Sequence, residues 1–131
     1  MNLKLMTAAW LLGASLCAHA ATNSVYETIP NDTKAVVVKA VGDGRTDDTA
    51  AIQRAIDAAV VDKWRGGIVF LPSGRYLISR TIIMPPAVRL FGVGKTRPVI
   101  VLGDNTPGFG EGVATMFTFV GNDQYGNKQP P

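Results

Sequence analysis

Between Val41 and Ile78 the hydrophobic period of the chain changes once, and that change constrains the fold more than any other feature. The stretch reads VGDGRTDDTAAIQRAIDAAVVDKWRGGIVFLPSGRYLI. Ile52, Ala55, Ile56, Ala59 and Val60 recur at i, i+3, i+4, i+7 and i+8, the stripe of a helix with one buried face. Asp47, Asp48 and Thr49 stand at its start, where short polar side chains accept hydrogen bonds from the unpaired first-turn N–H groups. The spacing therefore predicts a helix from about Thr49 to Val60, covering a core with Ile52 and Ile56. Gly66-Gly67 ends the segment, and beyond it the period is that of strands.

Short apolar runs follow at Ile68 to Leu71, Tyr76 to Ile78, Thr81 to Met84, Val88 to Phe91 and Val99 to Leu102. Pro72-Ser73-Gly74, Pro85-Pro86 and the stretch Gly92 to Pro98 break them apart. A β-branched run, Val36-Val37-Val38, precedes the glycine turn. Ile68 to Val88 spans 20 positions and Tyr76 to Val99 spans 23. Such offsets suit stacked parallel coils, in which each run pairs with the run one coil later and the inward side chains form a continuous apolar column. The helix then has a structural task, to cover the open first coil. Met116 to Val120 continues the pattern after a glycine-rich insertion, Gly103 to Gly112.

Gly42-Asp43-Gly44, Asp47-Asp48-Thr49-Ala50-Ala51-Ile52-Gln53, Ala55-Ile56, Gly66-Gly67, Val69, Leu71-Pro72, Gly74 and Tyr76-Leu77 together carry a resemblance. In that order they resemble the N-terminal segment of the pectate lyase superfamily, especially its rhamnogalacturonase and epimerase-like pectate lyase domain, and the related exo-β-1,3-glucanases. The likeness covers Ala35 to Leu102 and extends toward Val120. It implies an all-β fold, a right-handed parallel β-helix with an N-terminal capping α-helix, of which the first two or three coils are present. It also implies a secreted enzyme acting on a polysaccharide such as pectin or β-1,3-glucan, by hydrolysis or β-elimination. The superfamily's lyases use a basic residue with bound calcium on later coils, a role carried onto no position here. The runner-up is a non-catalytic β-helix, an adhesin or a tailspike-like carbohydrate-binding module.

The ends of the chain divide it further. Lys4, the apolar run Ala8 to Leu16 and the closing Ala18-His19-Ala20 have the layout of a secretory signal peptide, so residues 1–20 are expected to be removed and the product secreted. A lipoprotein cleavage before Cys17 expects a small residue where Leu16 stands. Cleavage after Ala20 removes the only cysteine and the only histidine. A Cys nucleophile, a Ser-His-Asp relay, a Cys/His zinc site and disulfides are then excluded from this chain. Neither a metal nor a cofactor is expected. Residues 21–34 read as a polar, mobile mature N-terminus, and residues 35–131 as the N-terminal part of the β-helix domain of a longer protein, because the coils do not finish burying their faces by Pro131. Net charge falls from +3 to +2 with Lys4 gone, 12 basic against 10 acidic residues with interspersed signs, which is no nucleic-acid footprint. No membrane contact is expected after cleavage, and nothing in the sequence fixes an oligomeric state.

Substrate contact is expected at the insertion, because glycine-rich surface loops on rigid frames carry binding residues. Asp104 and Glu111 are its acidic pair, read first as loop solvation with Asp104-Asn105 starting a turn and second as an acid and a base, and Phe109 is the best candidate to stack on a sugar ring. No catalytic residue is assigned. Asp43, Asp47 and Asp48 read as turn and cap residues, with Asn an acceptable substitute at either cap, although glycosidases do use two carboxyl groups ~5–10 Å apart. Gly92-Val93-Gly94-Lys95-Thr96 ends like a phosphate loop, but Arg89 stands where that motif needs a glycine, so it reads as a turn; Lys95 and Arg97 would there face a sugar acid. Tyr76 and Trp64 are expected in core or cap packing. Asn31-Asp32-Thr33 matches a glycosylation acceptor.

Overall fold

The computed structural model describes residues 23–62, 65–110, 112 and 114–121. Residues 1–22, which include the segment expected to be a signal peptide, Lys63, Trp64, Glu111, Val113 and residues 122–131 lie outside the described residues. In chain order the elements are β1 (Val36–Val37), β2 (Asp43–Asp47), α1 (Thr49–Ala58), β3 (Val60–Asp62), β4 (Arg65–Gly66), β5 (Ile68–Pro72), β6 (Arg75–Ile78), β7 (Ile82–Met84), β8 (Arg89–Val93), β9 (Val99–Leu102) and β10 (Phe117–Phe119). The described chain is thus mostly strands with one helix, and none of its sheets closes into a barrel.

Three ladders are parallel, and each takes its strands from successive passes of the chain: β1-β5-β8, β2-β6-β9 and β7-β10. Ile68 pairs with Arg89 and Tyr76 with Ile100, so the registers are one residue longer than the run starts, Val88 and Val99, suggest. The reason is local: Val88 is buried ahead of β8 instead of opening it, and Val99 pairs with Arg75, the first residue of β6. Side chains alternate across each strand. Val69 and Leu71 of β5, Tyr76 and Ile78 of β6, and Ile82 and Met84 of β7 share one buried cluster.

The helix occupies the first pass at the place where later passes carry β7 and β10. Ile52 and Ile56 are fully buried against the same cluster. Its Gln53 does what a neighbouring strand would do. The amide N–H of Ile83 donates to Gln53 Oε1 at 2.9 Å, while Gln53 Nε2 donates to the carbonyl of Ile83 at 3.0 Å and to Asp57 Oδ1 at 2.9 Å. One turn earlier, the amide of Ser79 donates to Thr49 Oγ1 at 2.9 Å. Two side chains of α1 therefore satisfy backbone groups of the pass below, groups that cost ~1–3 kcal/mol each if buried unpaired.

The helix ends at Ala58, earlier than the apolar stripe predicts. Val60 leaves it for β3, which pairs antiparallel with β4, and the amide of Gly67 donates to the carbonyl of Ala59 at 2.7 Å. Gly66 has no room for a side chain, since a Cβ there would lie 2.4 Å from the carbonyl carbon of Ala87. The double glycine is thus both a stop signal and a site of close backbone approach.

Part of the polar segment expected to be mobile is attached to the sheet. Tyr26 forms a parallel bridge to Val93, and the amide of Gly94 donates to its carbonyl at 2.9 Å. Its ring meets Phe70 and Phe91 edge-on, each at 6.0 Å between centroids. Phe70 lies between Val69 and Leu71 and so faces away from the core cluster, yet it is only 2% exposed, because this segment covers it.

Candidate functional site

Passes two and three differ most between the second and third ladders. From β6 to β7 the chain crosses in three residues, 79–81, whereas from β9 to β10 it takes fourteen, 103–116. The frame needs only the shorter crossing, and loops of such length inside compact domains are uncommon, being either functional or linker segments. The root of the long one is built. The amide of Gly103 donates to the carbonyl of Ile78 at 2.8 Å, buried Thr106 donates through Oγ1 to the carbonyl of Gly103 at 2.6 Å, and the amide of Phe109 donates to the carbonyl of Thr106 at 3.2 Å. Asn105 takes a left-handed φ of 55°, which its side-chain type tolerates. At the far end Thr81 Oγ1 donates to the carbonyl of Thr115 at 2.7 Å.

Residues Leu102 to Gly110 curl around an open concavity of about 650 Å³, with polar and apolar walls in similar measure. Asp104, exposed, and Phe109, half-buried, both line it, so the structure brings together two of the three residues the sequence singles out. Glu111, the third, lies outside the described residues. A carboxylate beside an aromatic ring accepts hydrogen bonds from sugar hydroxyls and offers a face to sugar C–H groups. Carbohydrate is thus one class of ligand whose chemistry such a surface could match. With one carboxylate on its described walls, it does not by itself assemble the pair that hydrolysis of a glycosidic bond requires.

The three carboxylates near α1 are accounted for by folding, though not in the way cap chemistry predicts. Asp43 Oδ1 accepts the amides of Arg45 and Thr46 at 2.8 Å each, holding the bulge by which five residues of β2 lie opposite Arg75 to Leu77. Those two amides hold the Asp43 carboxyl below the ordinary carboxylate value. Asp48 is the N-cap of α1, yet its side chain does not cap. It is 2% exposed, and its two oxygens accept the amides of Val41 and Gly42 at 2.9 Å each, fastening the glycine turn to the start of the helix. Asp47 takes the cap instead, accepting the amide of Thr49 at 2.9 Å and the Thr49 hydroxyl, while Ser79 Oγ donates to its other oxygen at 2.6 Å. The hydroxyls of Ser79 and then Thr49 lower its pKa.

The remaining residues fall where packing puts them. Tyr76 is buried and donates its hydroxyl to the carbonyl of Pro72 at 2.8 Å; burial first, and the charge of Asp48 second, push that phenol up. Gly94 to Thr96 form a bend whose carbonyl at Thr96 receives the hydroxyls of Ser24 and Ser73, so the glycine-lysine-threonine run is a tied turn. Among the described residues no three His, Cys, Asp or Glu side chains gather as a metal site. Gln53 and Tyr26 are the structural residues that sequence reasoning missed: each acts on a backbone or ring far away in the chain, and a polar residue beside a helix stripe or an aromatic in a polar leader carries no local sign of it.

A family model described as rhamnogalacturonase A/epimerase, pectate lyase-like matches residues 35–129. Among curated relatives, alginate lyase 7 of Azotobacter vinelandii is 47% identical over 72 residues, 50% of this chain and 8% of that protein. A probable glucan endo-1,3-beta-glucosidase of Arthroderma benhamiae is 43% identical over 70 residues, 51% of this chain and 7% of that one. The pre-neck appendage protein of Bacillus phage B103 is 35% identical over 68 residues, 52% and 7% respectively. The matched region is thus less than a tenth of each of these relatives. No solved structure gives a significant match.

Proposed function

Because the chain belongs to the rhamnogalacturonase A/epimerase, pectate lyase-like family, we propose that it is the N-terminal part of a secreted enzyme that degrades a polysaccharide. Its ladders would be the first coils of a parallel β-helix, right-handed because crossovers between parallel strands of one sheet almost always are. Support comes from three parallel ladders built of successive passes and from a helix that closes the first pass with Gln53. The substrate is a uronate polymer or a β-1,3-glucan, cleaved by β-elimination or hydrolysis. The observation that carries a role for this part of the protein is the crossing at 103–116, where Asp104 and Phe109 line one concavity on a frame that needs no such loop.

The test is to assay the full-length protein on alginate, polygalacturonate and β-1,3-glucan, following unsaturated uronide absorbance and reducing-sugar release. Turnover of one polymer is expected, with Phe109→Ala raising KM about tenfold and leaving kcat within a few-fold, as loss of a stacking contact worth ~1 kcal/mol or more predicts. Absence of turnover on all three would reject the enzyme reading. The phage relative favours a second one, a structural appendage protein, which would show no turnover at any stage.

A further inference from the structure

A second concavity lies on the opposite side of β8 from the core, between the N-terminal segment and the turn that follows β8. Ser24, Val25, Phe91, Gly92, Arg97 and Pro98 line it, and its volume is about 230 Å³. We propose that this crevice is an anionic-sugar subsite that takes a single uronate ring, with Arg97 holding the carboxylate; the proposal rests on the polysaccharide reading above.

The walls are built from two segments far apart in the chain, and bonds spanning 72 and 74 residues tie them to each other. Ser24 Oγ donates to the carbonyl of Thr96 at 3.0 Å, and Arg97 Nε donates to the carbonyl of Asn23 at 3.1 Å. With the Tyr26 bridge to Val93, these bonds fix the width of the crevice before any ligand arrives. Gly92 keeps the interior open: a Cβ there would lie 2.7 Å from Pro98 Cδ and would force the proline outward. The walls are mostly apolar, with Val25, Phe91 and Pro98 offering faces to the C–H side of a pyranose. At this size the crevice falls below the ~300–1,000 Å³ of clefts for drug-sized ligands, so it holds one ring of a chain, whose neighbouring rings lie outside it.

Arg97 supplies the charge. Its Nε–H is engaged by Asn23, which sets the guanidinium plane, and among the described residues no carboxylate pairs with it. The remaining N–H groups form the planar fork that matches a carboxylate with two parallel bonds. A neutral sugar offers that fork only uncharged hydroxyl acceptors, without the charge or the paired oxygens of a carboxylate. The subsite thus selects uronate over glucose on chemical grounds, and it would sit apart from the loop at 103–116, gripping a second position on a charged polymer.

The experiment titrates the full-length protein with trimannuronate and, separately, with the neutral β-1,3-glucan trimer laminaritriose, reading Kd by calorimetry and the site by NMR shifts of the Gly92 and Gly94 amides and the Arg97 Nε–H. Trimannuronate is expected to shift these signals. Arg97→Gln should then weaken that site about tenfold or more, as loss of a charge-assisted pair predicts, and Arg97→Lys should fall between the two because it keeps the charge without the fork. Melting temperature checks that each variant is folded. Unchanged signals at Gly92, Gly94 and Arg97 would overturn the subsite, as would equal affinity for the neutral trimer or an unaltered Kd in folded Arg97→Gln. If the protein turns over a polymer while these signals stay still, the subsite fails and the family reading stands; if it neither turns over nor binds any of the sugars, both fail.

Discussion

Asp48 shows how a residue can match its sequence motif and still act through a different bond. Both of its oxygens are taken by the amides of Val41 and Gly42 inside the protein, so Asn is a poor replacement: it keeps one acceptor and sets an NH₂ against the second N–H. Asp48→Asn should cost about 2 kcal/mol or more, the scale of a buried bond to a charged group together with a donor left unmatched. Asp47→Asn, at an exposed site, should cost about 1 kcal/mol or less; urea denaturation of the two variants measures the difference. Acid titration gives a second check. Asp43 and Asp47 have folded pKa values below the ordinary 3.8, so each contributes stability that is complete above 3.8 and disappears as pH falls through its folded value. Because Ser79 is the largest cause at Asp47, Ser79→Ala should move that carboxyl up toward 3.8, as read from its ¹³C shift. That these acids serve the fold was legible in their turn and cap positions. Which N–H each would take was not, because that depends on where the backbone returns.

The helix gives the same lesson one level up. Its stripe through Ile52 and Ile56 is written in the sequence, and burial at 0% for both follows from it. Its end is not, because Val60 fits a helix stripe and a strand equally well, and the pairing with Gly66 decides for the strand. Nor is the work of Gln53, which reaches Ile83, 30 residues on. Replacing Ile56 by Asp should cost several kcal/mol by burying an unpaired charge. Gln53→Ala removes no apolar contact of comparable size and should still cost about 2–3 kcal/mol, because it leaves both backbone groups of Ile83 without their partner. Hydrogen exchange separates the two effects: Gln53→Ala should speed exchange at Ile83 selectively, whereas Ile56→Asp should loosen the whole first pass. Uniform exchange in both variants would remove the strand-substitute role from Gln53.

At the scale of the molecule, the repeat of passes was legible from runs and breakers, and its register was missed by one residue because an apolar run begins where burial begins, not where pairing does. The attachment of the N-terminal segment was invisible, since a polar leader with one tyrosine has no periodicity to read. The loop was found by composition, and the ladders explain it: the same crossing takes three residues in one pass and fourteen in the next. The central claim is that this longer crossing, and not the carboxylate-rich turn before α1, meets the polysaccharide. Hydrogen–deuterium exchange of the full-length protein, with and without saturating oligomers of alginate, polygalacturonate and β-1,3-glucan, tests it most directly. One of these oligomers is predicted to protect amides in 103–116 while leaving those of 43–49 unchanged; protection at 43–49 with none at 103–116 would contradict the account.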